Sequence, residues 1–125
     1  MKDIAILLPY KENFTENSAG AASIWVKDYL NKSKLSKRSI VYGNLENNSK
    51  PLLKNFQNLK IGNSFVKKNI SYTNKLYNEY LKYKFKIIEI HNRPESLLYL
   101  IKKKVTSKLI FIYHNNPQDL RSSSS

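Results

Sequence analysis

Cysteine is absent from this chain, which removes disulfide frameworks and thiolate chemistry and fits a reducing, cytosolic setting. Histidine occurs only twice, at His91 and His114, without H-x-x-x-H or H-E-x-x-H spacing; with Glu89, Glu95 and Asp119 in no ligand pattern, no metal site is expected. Glycine occurs only three times. Gly20 stands alone where a dinucleotide fold would carry G-x-G-x-x-G, and no G-x-S-x-G elbow is present. No apolar run approaches the ~20 residues that span a bilayer. The run at residues 4–8 is too short for a signal-peptide core.

Negative charge is also scarce. Nine Asp and Glu face 22 Lys and Arg, a formal net charge of +13. Only Arg38, Arg93 and Arg121 are arginine. Two causes fit this excess: attraction to phosphates or an anionic membrane surface, and the Lys, Asn, Ile and Tyr enrichment of AT-rich coding sequence. The 125 residues suffice for one domain with a true core and are too few for two.

Along the chain, short apolar runs alternate with helical patterns. Residues 3–8, closed by Pro9, read as a buried strand, and residues 10–18 as a loop. Ala22, Trp25, Val26, Tyr29 and Leu30 recur three or four apart, predicting a helix with these on its inner face. Ser18 is its expected cap and Gly20 permits close packing at its start. Residues 39–43 make a second strand, ended by Gly43. Residues 44–63 are rich in Asn and Lys, with a short strand expected near 59–61. Val66, Ile70, Thr73, Tyr77, Tyr80 and Leu81 form the apolar stripe of a longer helix. Its aromatic residues suit packing and not base stacking.

Next come two runs with the same ending. Phe85-Lys-Ile-Ile-Glu-Ile leads into His91-Asn-Arg-Pro94, and Leu109-Ile-Phe-Ile-Tyr into His114-Asn-Asn-Pro117. A helix fits between them, with Pro94 in its first turn, Asn92 as cap, and Leu97, Leu98, Ile101 and Val105 buried. Lys102, Lys103 and Lys104 suit its carboxyl end. This alternation predicts an α/β, Rossmann-like three-layer domain with a mostly parallel sheet. If the first strand lies beside the 86–90 strand, the order reverses between them. Both histidines then meet at the edge where open sheets bind ligands. Glu89 should share the face of His91, as a structural ion pair or outer contact. Arg93 and Arg121 are the arginines near that edge, and Arg93, in a strand-end turn, is the better placed for phosphate or carboxylate.

At these residues the chain resembles the N-terminal domain of family-4 glycosyltransferases of the GT-B fold. Ser18-Ala-Gly-Ala-Ala-Ser-Ile-Trp-Val-Lys27 looks like that family's loop and helix after the first strand. Glu89-Ile-His-Asn-Arg-Pro-Glu95 and Tyr113-His-Asn-Asn-Pro-Gln-Asp-Leu-Arg121 look like its later strand-end motifs, in the envelope-polysaccharide branch. The resemblance implies retaining transfer from a nucleotide sugar, without metal or cofactor, to a glycan or lipid-linked acceptor. It implies that His114 touches the transferred sugar as the bond to diphosphate breaks, that Gly20 approaches donor phosphate or acceptor, and that His91, Asn92, Arg93 and Asn115 line the acceptor side. Residues 1–118 would form the domain and residues 119–125 a disordered or truncated tail. The paired-glutamate donor domain is not in this chain, which is therefore expected to be a fragment, inactive alone. A cytoplasmic place, peripheral on the inner face of the membrane, follows from the same reading.

Two other classes compete. A basic nucleic-acid-binding module would need a contiguous cationic face and a recognisable binding motif, and none appears; no nucleic-acid partner is expected. A regulatory α/β domain of the receiver type would want acids at the end of its first strand, where Leu8-Pro9-Tyr10 offers none.

Overall fold

The structure is a computed structural model and describes residues 2–12, 14, 20–45, 50–61 and 67–114. Its elements run β1 (Ile4–Leu7), α1 (Ala21–Lys32), a 3-10 helix (Lys34–Arg38), β2 (Ser39–Gly43), β3 (Phe56–Asn58), α2 (Lys68–Tyr83), β4 (Ile87–His91), α3 (Pro94–Lys102) and β5 (Lys108–Ile112). The five strands form one parallel sheet in the order β3-β2-β1-β4-β5. Chain order thus runs outward from β1 to one edge, then resumes at β4 on its other side. The switch point lies between β1 and β4, as the sequence pattern anticipates. The fold is α/β, a Rossmann-like three-layer domain.

Crossovers of one hand moving in opposite directions must cover opposite faces of the sheet. Ile4, Ile6 and Leu8 accordingly pack with Ala22, Val26 and Leu30 of α1. Ala5 and Leu7, alternating to the other side, pack with Tyr72, Leu76 and Tyr80 of α2 and Leu100 of α3. Tyr72 ties α2 to the switch point, its buried hydroxyl donating to the Leu8 carbonyl at 2.7 Å. Thr73 and Ser96 join α2 to α3 through their hydroxyls, 2.8 Å apart.

Several expectations are corrected. The third strand lies at Phe56–Asn58, ahead of residues 59–61. Gly43 leaves room for the Phe56 ring, which a Cβ there would approach within 2.8 Å, and the Asn58 side chain then turns aside to bond Leu45. On α1, Ser23 replaces Trp25 and Tyr29 on the inner face; both aromatics are 38% exposed. On α2 the buried set is Tyr72, Thr73, Leu76, Glu79 and Tyr80, while Ile70 and Leu81 are exposed. On α3 it is Ser96 and Leu100, and Leu98 and Ile101 face outward. Arg93, not Asn92, is the cap position of α3. Ser18, Val66, Asn115, Arg121 and the 119–125 tail lie outside the described residues.

Candidate functional site at the carboxyl edge of the sheet

β4 and β5 pair in parallel through His91 and Ile112, so their last residues leave the same edge. Glu89 and His91, two apart, turn toward the α1 face. There the Glu89 carboxylate meets His91 Nε2 at 2.6 Å, and His91 Nδ1 meets His114 Nε2 at 2.7 Å. The spacing suggests such a contact between Glu89 and His91, as an ion pair or an outer contact. His91 has no exposed surface, and both its nitrogens are engaged. It therefore reaches a ligand only through His114.

The partners set the tautomers. With a carboxylate on Nε2, a neutral His91 carries its proton there and offers Nδ1 as an acceptor. His114 then donates from Nε2 and keeps a lone pair on Nδ1. Burial, then the charge of His91, hold the His114 pKa below its ordinary value, against the smaller upward pull of Glu12 and Glu89. Asn92 fixes the second imidazole from its backbone. Its amide donates to the Ile112 carbonyl at 2.9 Å, and its side-chain oxygen accepts from the His114 N–H at 2.6 Å. Asn92 has a positive φ of 62°, a conformation that asparagine tolerates better than most residues. The asparagine after the first histidine thus places the second.

Two further residues complete the site, and neither was singled out from sequence as a site residue. Trp25 lies against both imidazoles, with ring centroids 5.4 Å from His91 and 5.7 Å from His114, and stacks on Tyr29 at 5.2 Å. Glu12, from the loop after β1, places one carboxylate oxygen 2.6 Å from both the amide and the hydroxyl of Ser23. It thereby caps α1, which has no acid in its first turn and no capping side chain at Gly20. A helix beginning with a bare glycine was the one available signal that a distant anion must serve.

Gly20 makes that cap possible, since a Cβ there would come within 2.6 Å of the Glu12 carboxylate. A ligand phosphate reaches the amino end of α1 only by displacing Glu12. Arg93 opens elsewhere. It is exposed and lines a cavity of about 540 Å³ with Tyr10, Lys11, Lys67, Lys68, Asn69, Ile70 and Glu95. Structure thus brings His91, His114 and Asn92 together, sets Gly20 against Glu12, and sends Arg93 to a separate hollow. Among the described residues no group of three His, Asp or Glu side chains is arranged to hold a metal ion, and no helix is long and apolar enough to cross a membrane.

Comparison with protein-family models, curated proteins and solved structures finds no match to this chain.

What the arrangement offers chemically is a half-exposed aromatic plane beside a neutral imidazole acceptor and two carboxylates. Aromatic faces take the C–H surface of a polyol, and nitrogen and oxygen acceptors take its hydroxyls. No lysine or arginine is among these side chains. That suits a neutral hydroxylated ligand better than a phosphate.

Proposed function

We propose that this chain is the acceptor-side domain of a retaining glycosyltransferase. In this reading it works with a separate donor-binding domain to move a sugar from a nucleotide sugar onto a glycan or lipid-linked acceptor of envelope polysaccharide synthesis. The observation that carries the reading is the 2.7 Å contact between His91 and His114 at the switch-point edge of the sheet. There the Glu89 carboxylate acts through His91 on the one imidazole that faces outward.

As the bond between sugar and diphosphate weakens, positive charge grows on the sugar ring. The His114 Nδ1 lone pair, left free because the chain back to Glu89 engages Nε2, accepts from a sugar hydroxyl and favours that charge. His91, Glu89 and Asn92 are positioning residues. Trp25 supplies a stacking surface. The basic surface would hold the domain at the anionic cytoplasmic face of a membrane, where a lipid-linked acceptor is reached.

The single tryptophan provides the test. Its fluorescence, titrated with nucleotide sugars and with oligosaccharide acceptors, should respond saturably to a saccharide. His114→Ala should weaken that response about tenfold, as expected for losing one buried-edge hydrogen bond and its positioning. A response to oligonucleotides and to no saccharide would overturn the reading in favour of a nucleic-acid module.

A further inference from the structure

We propose that the cavity between the loop after β1 and the amino ends of α2 and α3 is a binding site for a phosphate or diphosphate ester. It stands on the cavity alone and does not need the sugar-transfer reading. The cavity is on the α2–α3 face, whereas Glu89 and His91 turn to the α1 face, and Gly20 is not part of it.

Three segments of the chain supply cations to this one hollow of about 540 Å³: Lys11 after β1, Lys67 and Lys68 at the start of α2, and Arg93 before α3. Glu95 is the only carboxylate in the wall among the described residues, so four cations there stand against one anion. Among the described residues none of the four is spent in an ion pair; the pairs are Arg38 with Asp3, Lys82 with Glu79, and His91 with Glu89. Like charges gathered without a counterion raise the local potential and favour a multiply charged anion over a carboxylate. Arg93 brings a planar fork and the lysines bring movable point charges, a combination that suits phosphoryl oxygens.

The helix end adds to this. α2 has no side-chain cap and no acid in its first turn, and its first helical bonds run from Ile70 and Ser71 to the Lys67 carbonyl. The amides of Lys68 and Asn69 precede them and have no acceptor within the helix, and both residues line the hollow.

Calorimetric titration of the full chain with inorganic pyrophosphate at low salt tests the site. Saturable binding is expected, weakened about tenfold or more in Arg93→Gln/Lys68→Gln through the lost charge-assisted bonds. The control Lys34→Gln/Lys37→Gln removes equal charge from the 3-10 helix ahead of β2, at the opposite edge of the sheet, and should bind like the parent. All four residues are exposed, and matching thermal transitions confirm folding. A second arm uses phosphatidylcholine vesicles doped with phosphatidic acid. Vesicle binding that pyrophosphate strips away identifies a lipid-borne phosphate, and pyrophosphate binding without vesicle binding identifies a soluble ester. No saturable pyrophosphate binding, or equal weakening by both double variants, overturns the proposal and leaves only diffuse surface charge.

Discussion

An imidazole with no exposed surface persists in a fold only when both nitrogens are satisfied, because a buried unpaired polar group costs about 1–3 kcal/mol. His91 meets this with Glu89 on one side and His114 on the other. The repeated His-Asn ending made the histidine pair legible in sequence: matched residues after matched strands must leave the same edge. The cap of α1 was not legible, since Glu12 joins it only after the loop folds back. A pH consequence follows for His114, whose folded pKa lies below the ordinary 6.5. Its unfolded form binds more protons between those two values, so stability rises with pH across that window. The contribution is complete above 6.5 and is lost as pH falls through the folded pKa. His114→Gln should flatten that part of a urea-denaturation pH profile. Glu89→Gln should lower the His114 midpoint further in an NMR titration, because it removes one of the charges that raise it. An unchanged midpoint would mean that Glu89 does not act on His114.

At the scale of elements, existence and order were readable and faces were not. α2 and α3 carry enough apolar residues for more than one stripe at spacing three or four. Which stripe turns inward depends on where the neighbouring helix lies. On α3 the choice is testable. Leu100 is wholly buried in the same core as Tyr80 and Phe85, whereas Leu98 is 56% exposed. Leu100→Ala should cost about 2–5 kcal/mol, and Leu98→Ala should stay within about 0.5 kcal/mol, in urea unfolding. Equal losses would show that the inner face has been assigned to the wrong side. The shifted third strand has the same origin, because Gly43 and Asn58 select it through contacts made across the sheet.

Over the whole molecule, two forces oppose each other. Among the described residues β5 is an edge strand and only half-buried, and α3 exposes Leu98 and Ile101; apolar surface near a strand edge invites pairing. Against this stands a net charge of +13, which keeps copies apart until salt screens it. Sedimentation should therefore show self-association that grows between roughly 0.05 and 0.5 M salt as the Debye length shrinks. Leu98→Lys/Ile101→Lys should abolish it, and association that instead weakens with salt would point to charge pairing between copies. By itself the sequence determined the layered α/β fold, the strand alternation and the meeting of His91 with His114. Those follow from periodicity and crossover handedness, which act along the chain. Only the tertiary structure decided that His91 is sealed, that Glu12 occupies the end of α1, that Trp25 covers the imidazoles, and that four cations ring one hollow. Each of these depends on distances between segments far apart in the chain, which local patterning does not encode.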